Sequence, residues 1–194
     1  TEITDEGALR LQEQLPDCVI LHSALAASEA DRRAAEWALQ QGARVKVRLT
    51  TGPSQVVTEM PGDFHAVMGI VLTVEPLDAA DLTPLAGLRA IRYLHTDGLT
   101  NADAAAERIG TLTSLDALDL RRSDLTDTGL TSLKSLRFIE RLELGGCRNL
   151  KGTGLREFAG SRSLVRLSLY TSALDDEGLE AISRLPHLTE LAIG

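Results

Sequence analysis

The sequence has few aromatic residues, few cysteines and no long apolar run. Aromatic residues make up only 3% of the 194 residues, so leucine and alanine must supply most of any core. Cys18 and Cys147 are too few for a disulfide scaffold and lack the paired spacing of a zinc site. No apolar stretch approaches the roughly 20 residues that cross a bilayer. We therefore predict no membrane-spanning helix and see no signal peptide.

The charge balance is acidic, with a net charge of −8 and a pI near 5.0. Broad nucleic-acid binding and docking on an anionic membrane both depend on clustered Lys and Arg, so neither is predicted. A hydrophobic content of 43% beside 25% charged residues is typical of a soluble, ordered protein. The sequence does not indicate a compartment, although the absence of a targeting segment weakly favours the cytoplasm.

One frame of apolar residues recurs along the last two thirds of the chain. Copies begin at Val67, Ile91, Leu115, Ile139, Leu164 and Leu188, in steps of 24, 24, 24, 25 and 24 residues. Such regular steps indicate internal repeats, and one repeat buries too little apolar surface to fold alone.

Each copy combines a strand period with a helix period. In "LDALDL", Leu118 and Leu120 alternate with polar neighbours, as in a half-buried strand. In "TDTGLTSLKSL", Leu130, Leu133 and Leu136 recur every three residues and share one helical face. Thr126 or Asp127 can cap this helix. The unit is therefore predicted to be a short strand followed by a helix.

The pattern L-x-x-L-x-L-x-x-(N/C)-x-L resembles the leucine-rich repeat family, with Cys147 at the N/C position and Ser123 and Ser172 at its equivalents. The "LTDTGL" and "LDDEGL" segments resemble the helix-backed repeats of bacterial, planctomycete-type members. The resemblance implies an α/β solenoid with short parallel strands on a concave face and helices on the convex face. The pattern is broken at Glu75, Pro76, Thr96 and Asn101. These departures predict local irregularity near the beginning of the repeat array.

Three segments are predicted. Residues 1–22 resemble the closing part of a preceding repeat unit, with inward-facing leucines at Leu9, Leu11 and Leu15. Residues 23–63 form a capping helix and hairpin, in which Ser28 begins the helix, Trp37 covers the core and Gly42 ends the helix. Residues 64–194 form the array of about five repeats, the last one cut.

Both termini fall within a repeat, and "HLTELAIG" lacks the polar cap that normally protects the end of a repeat array. We therefore expect end-to-end association or continuation into further repeats.

The sequence does not predict an enzyme, a metal site or a cofactor. Cys147 occupies a buried repeat position, where a free cysteine behaves as a small apolar residue, and Cys18 is expected to be buried as well. His187 and Glu190 lack the helical face that paired ligation needs. Asp175 and Asp176 fit the carboxylates that the helix dipole favours at the start of a helix. The histidines are scattered along the chain: His22, His65, His95 and His187.

The outward residues of the strands form a candidate partner-binding face. It comprises Tyr93, His95, Asp97, Asp119, Arg121, Arg141, Glu143, Arg166, Ser168 and Tyr170. Tyr and Arg commonly anchor protein interfaces. The alternative is a solvated sheet whose Asp and Arg pair across strands. The sequence thus favours a non-enzymatic module that binds a protein or peptide; a structural or regulatory scaffold segment of a larger signalling protein is the alternative.

Overall fold

The computed structural model describes residues 4–15, 20, 27–50, 52–73 and 77–194. The first elements are α1 (Asp5–Gln14), α2 (Glu29–Gln40), β1 (Arg44–Leu49), β2 (Ser54–Val57) and β3 (Phe64–Leu72). Next come β4 (Leu77–Asp78), a 3₁₀ helix (Ala79–Leu85), β5 (Tyr93–Thr96), β6 (Leu99–Thr100) and α3 (Ala102–Ile109). The remaining elements are β7 (Ala117–Asp119), α4 (Asp127–Ser132), a 3₁₀ helix (Leu133–Ser135), β8 (Arg141–Glu143), a 3₁₀ helix (Thr153–Phe158), β9 (Arg166–Ser168), α5 (Asp176–Ile182) and β10 (Glu190–Ala192).

The described strands form a mostly parallel sheet in the order β10-β9-β8-β7-β5-β3-β1-β2. Every pair from β3 to β10 is parallel. β1 is antiparallel to both β2 and β3, so the predicted hairpin is present. This mixture of helices with a mostly parallel sheet fits a leucine-rich repeat fold.

The strand register follows the sequence repeat. Tyr93 lies beside Ala117, Ala117 beside Arg141, and Arg141 beside Arg166. The same register stacks one inward apolar residue from each of β3, β5, β7, β8 and β9 in a column, and its members are 0–2% exposed: Ile70, Leu94, Leu118, Leu142 and Leu167. Because each of these side chains packs between its neighbours, the core is shared along the sheet.

The second inward column contains the irregularity predicted at Thr96. Leu72, Leu120 and Leu144 stand at equivalent positions and are fully buried, as is Thr96. Its Oγ1 has no hydrogen-bond partner among the described residues. The preceding turn also departs from the later repeats, because the short strands β4 and β6 form a separate parallel pair.

A recurring glycine lets consecutive helices approach closely. A Cβ on Gly129 would lie 2.7 Å from the Cα of Asp103, and one on Gly154 would lie 2.7 Å from the carbonyl oxygen of Asp127. A Cβ on Gly178 would lie 2.0 Å from the carbonyl oxygen of Lys151. The glycine in the "DTGL", "GTGL" and "DEGL" segments is therefore required by close contact with the preceding repeat rather than by backbone conformation.

Helix-start carboxylates link each unit to the next. Asp103 accepts hydrogen bonds from the backbone N–H of Thr126 at 2.8 Å and from its hydroxyl at 2.6 Å. Asp127 accepts from the N–H groups of Lys151 at 2.8 Å and Gly154 at 2.7 Å. Of the two caps predicted for α4, Thr126 is the one that bonds within the helix, accepting from Thr128 N–H at 3.2 Å. These bonds satisfy backbone donors that a short helix leaves free.

The predicted capping helix has the expected boundaries. Ser28 Oγ accepts from the N–H of Asp31 at 3.1 Å, and the chain turns at Gly42 with a φ of 71°. Trp37 is half-buried and packs against the core, as expected. Asp31 is buried and accepts from Val67 N–H at 2.8 Å, which ties α2 to β3.

The prediction for α1 is wrong in one respect. Leu9, Leu11 and Leu15 were expected to face inward but are 48%, 42% and 47% exposed. An added Cβ on Gly7 would meet only Thr4 Oγ1 within 4 Å, so none of the described helices packs against α1 at Gly7. Without such a neighbour, the leucines of α1 remain exposed. Cys18, His22, Glu75 and Pro76 lie outside the described residues.

Gly178→Ala tests the helix contact. Because the new Cβ would fall 2.0 Å from a backbone oxygen that has little room to move, we expect a loss of about 1–3 kcal/mol in the free energy of unfolding. Denaturant unfolding followed by circular dichroism measures it. Gly160→Ala is the matched control, since a Cβ there meets nothing within 4 Å; equal stability of the two variants would contradict the role of Gly178.

Candidate partner-binding surface

The ten predicted site residues lie on the side of the sheet opposite the buried leucine columns, and we call them the open strand face: Tyr93, His95, Asp97, Asp119, Arg121, Arg141, Glu143, Arg166, Ser168 and Tyr170. Register places them in rows across neighbouring strands. Tyr93, Arg141 and Arg166 share one row with Ala117, while His95, Asp119, Glu143 and Ser168 share the next. The structure brings these residues onto one surface but not into one cluster.

His95 and Asp119 form a buried polar pair at the β5–β7 end of the face. They are 8% and 4% exposed, and His95 Nδ1 lies 2.7 Å from Asp119 Oδ2. Arg121 Nε donates to both carboxylate oxygens, at 2.9 and 3.0 Å. The hydrogen bonds that Arg121 donates to Asp119 raise the pKa of Arg121 above its ordinary value. Such a satisfied pair is a structural element, because its polar atoms already have partners.

Tyr93 and Asp97 are also influenced by this end of the face. Burial, and then the charge of Asp119, raise the pKa of Tyr93 above its usual range. The hydrogen bonds from Arg122 hold the pKa of Asp97 below its usual range, with Arg122 Nε 2.7 Å from the carboxylate. This half of the face therefore follows the solvated-sheet alternative, in which charges pair with each other.

The other half of the face is more accessible. Tyr170 is 60% exposed, and the exposed side chain of Arg141 makes no hydrogen bond or ion pair with any residue that the structure describes. Arg166 pairs with Glu190 at 2.9 Å, at an exposed position. Glu143 and Ser168 are half-buried beside them. Ion pairs at this level of exposure contribute little, so these groups can exchange partners.

Gly145 lies between Arg121 and Tyr170 on this face. A Cβ there would lie 3.3 Å from the Tyr170 carbonyl oxygen and 3.9 Å from Arg121 Cγ. The glycine is itself buried, so its backbone is covered by these neighbours.

Cys147 has the structural role that its position in the repeat predicted. Its side chain is fully buried, and its Sγ donates to the Leu120 carbonyl at 3.2 Å. Burial raises the pKa of the thiol to about 11. A nucleophilic cysteine needs a lowered pKa and access to substrate, and Cys147 has neither.

Sequence reasoning missed Arg122, because it lies outside the strand alternation used to identify the face. Its φ of 57° places it in the left-handed region, which directs its side chain towards Asp97. The glycines Gly98 and Gly146, one repeat away on either side, have φ values of 67° and 81°. Glycine at the equivalent position of both neighbouring repeats was the available sequence signal for an unusual backbone conformation at Arg122.

The described residues contain no group of three His, Cys, Asp or Glu side chains placed to hold a metal ion. Within the same ranges, no helix is long and apolar enough to cross a membrane.

The repeated strands and the mostly parallel sheet fit a leucine-rich repeat fold. Comparison with known proteins agrees with this fold: residues 111–134 match the family model described as "Leucine Rich repeat". The chain is also 29% identical over 113 residues to a protein of Trypanosoma equiperdum named "Putative adenylate cyclase regulatory protein". That alignment covers 58% of this chain and 18% of the relative, so the chain spans less than a fifth of that relative's length.

Asp119→Asn tests the buried pair. Because the substitution removes the charge that Arg121 and His95 contact while leaving the group buried, we expect a loss of about 1–3 kcal/mol in the free energy of unfolding. Thermal and denaturant unfolding measure it. Glu143→Gln, one position along the same row, is the control and should change stability little. An equal loss of stability at both positions would show that the contacts of Asp119 with His95 and Arg121 contribute nothing particular to the free energy of unfolding.

Cys147 gives a pH-dependent prediction. Its pKa is raised from 9.0 to about 11 in the folded chain, so the folded state holds the proton more tightly than the unfolded state does. The resulting stabilisation is complete below pH 9 and is lost as the pH rises towards 11. Unfolding free energies of the wild-type chain and Cys147→Ala, compared across this range, should show the difference. In a Cys18→Ser background, rapid labelling of the native thiol at pH 8 would contradict it.

Proposed function

We propose that this chain is a non-enzymatic interaction module that binds a protein or peptide on the accessible half of the open strand face. The partner would contact Arg141, Arg166 and Tyr170. The observation that carries the proposal is the contrast within the face: His95, Asp119 and Arg121 satisfy one another, whereas Arg141 and Tyr170 are exposed.

Exposed aromatic and arginine side chains are the types that most often dominate binding energy at protein interfaces. Here Arg141 and Arg166 are held on strands whose inward residues, Leu142 and Leu167, are 1% and 2% exposed, and Tyr170 follows shortly after β9. Rigid placement lowers the entropy lost on association. The strands lie about 4.8 Å apart, so Arg141, Arg166 and Tyr170 form a narrow surface suited to a loop or one helix.

The test begins with peptides selected from a phage-displayed library against the purified chain. Arg141→Glu and Tyr170→Ala should each weaken the selected peptides roughly tenfold or more, equivalent to about 1.4 kcal/mol. Fluorescence anisotropy measures the affinities. Arg156→Glu, the same charge reversal on an exposed residue of the helical side, is the control and should leave affinity unchanged. Selected peptides that bind all four proteins equally would overturn the proposal.

A scaffold or regulatory segment of a larger signalling protein is the second candidate. The name of the Trypanosoma relative, with the small fraction of that relative aligned, favours it. In this role the repeats would provide spacing instead of a ligand surface. Charge reversal at Arg141, Glu143 and Arg166 separates the two: loss of peptide binding supports the module, whereas indifference supports the scaffold.

We also propose that the repeats form a solenoid of the bacterial, planctomycete-like type, with the strands on its concave face and residues 23–63 as its cap. The matched register from β3 to β10 supports the stacking. The burial of Ala34, Ala35 and Ala38 on α2 supports the cap. Deleting residues 23–63 should then leave the repeats prone to aggregation, which light scattering would detect.

A further inference from the structure

We infer a second interaction site, separate from the open strand face, in a cationic groove at the edge where helices end and strands begin. We define the edge groove by Lys134, Arg137, Glu157, Phe158 and Arg162, which line a cavity of about 580 Å³. The partner that fits it is an acidic segment of another protein.

The groove lies between two consecutive repeats. Arg137 and Arg162 occupy equivalent positions, each two residues before the start of its copy at Ile139 or Leu164. Ser163 Oγ donates to the carbonyl of Arg137 at 2.8 Å, which fixes the two turns side by side. The backbone that carries the two guanidinium groups is thus held in place before any partner arrives.

The cations in the groove are available for binding. Lys134, Arg137 and Arg162 are exposed and make no ion pair or side-chain hydrogen bond with the described part of the chain. By comparison, Arg121 is paired with Asp119 and Arg184 with Glu180. Glu157 is the carboxylate in the lining, and it leaves an excess of positive charge.

An exposed aromatic residue follows a groove residue directly in the sequence. Phe138 follows Arg137 directly and is 63% exposed, in a chain with three phenylalanines. Phe158 lines the groove and is 3% exposed, so it forms a buried apolar wall. Arginine beside an aromatic surface favours a carboxylate-bearing peptide with an apolar residue next to its charges.

The net charge of the whole chain favours a short acidic peptide over larger polyanions. The chain carries a net charge of −8, so a nucleic acid or an anionic membrane extending beyond these three cations would meet repulsion. A short acidic segment would contact only the groove. Its binding should weaken with salt because the contacts are solvent-exposed.

The experiment uses the full chain and a fluorescein-labelled glutamate-rich peptide that contains leucine, with its glutamine counterpart as the uncharged probe. Anisotropy should show salt-sensitive binding of the acidic peptide and none of the glutamine peptide. The double variant Arg137→Glu with Arg162→Glu should lose at least roughly tenfold in affinity. Arg137→Gln with Arg162→Gln should also weaken binding, without introducing new charge.

The matched control is Arg44→Glu with Lys46→Glu, which changes net charge equally on the exposed residues of β1. Circular dichroism verifies that each variant is folded. Equal loss in the groove variant and the control would show general electrostatics and overturn the site. So would tighter binding of oligothymidylate or of phosphatidylserine vesicles than of the acidic peptide. Amide shifts at Ser135, Gly160 and Ser161 on peptide addition would locate the contact.

Discussion

The fold depends on one constraint: each inward leucine must lie between the equivalent residues of the two neighbouring strands. Leu118 packs between Leu94 and Leu142 because the register between strands matches the spacing of the repeat. A single unit has no such neighbours, and its apolar side chains cannot offset the entropy lost in ordering its backbone. The glycine at each helix contact and the carboxylate at each helix start serve the same constraint, because they bring the helices together at the spacing that the strands impose.

The repeated part of the chain could be predicted from sequence because its information is local and periodic. Leu118 and Leu120 show the strand, and Leu130 shows the helix, from their own neighbours alone. The caps at Thr126 and Ser28 were also recognisable, since the side chain bonds only a few residues ahead. By contrast, the inward orientation of Leu9 depends on whether another helix covers it, and a helical period does not show what lies beside it.

The sequence pattern indicates which residues leave the core on the open strand face, but it does not indicate how accessible each of them is. Alternation along a strand indicates which side chains leave the core, yet it does not show whether they bond to one another. His95 and Asp119 lie on the outward side and are nevertheless buried, where they bond to each other and Asp119 also accepts from Arg121. Arg122 enters the network through a left-handed backbone conformation that the repeat pattern does not show.

The step between β8 and β9 is one residue longer than the step between β7 and β8, since Arg141 pairs with Arg166 whereas Ala117 pairs with Arg141. The added residue lies in the exposed turn near Arg148 and Asn149, and the backbone of Lys151 still reaches Asp127. This turn can therefore accept an added residue while the strand register is kept. Repeats of different length are thus compatible with one continuous core.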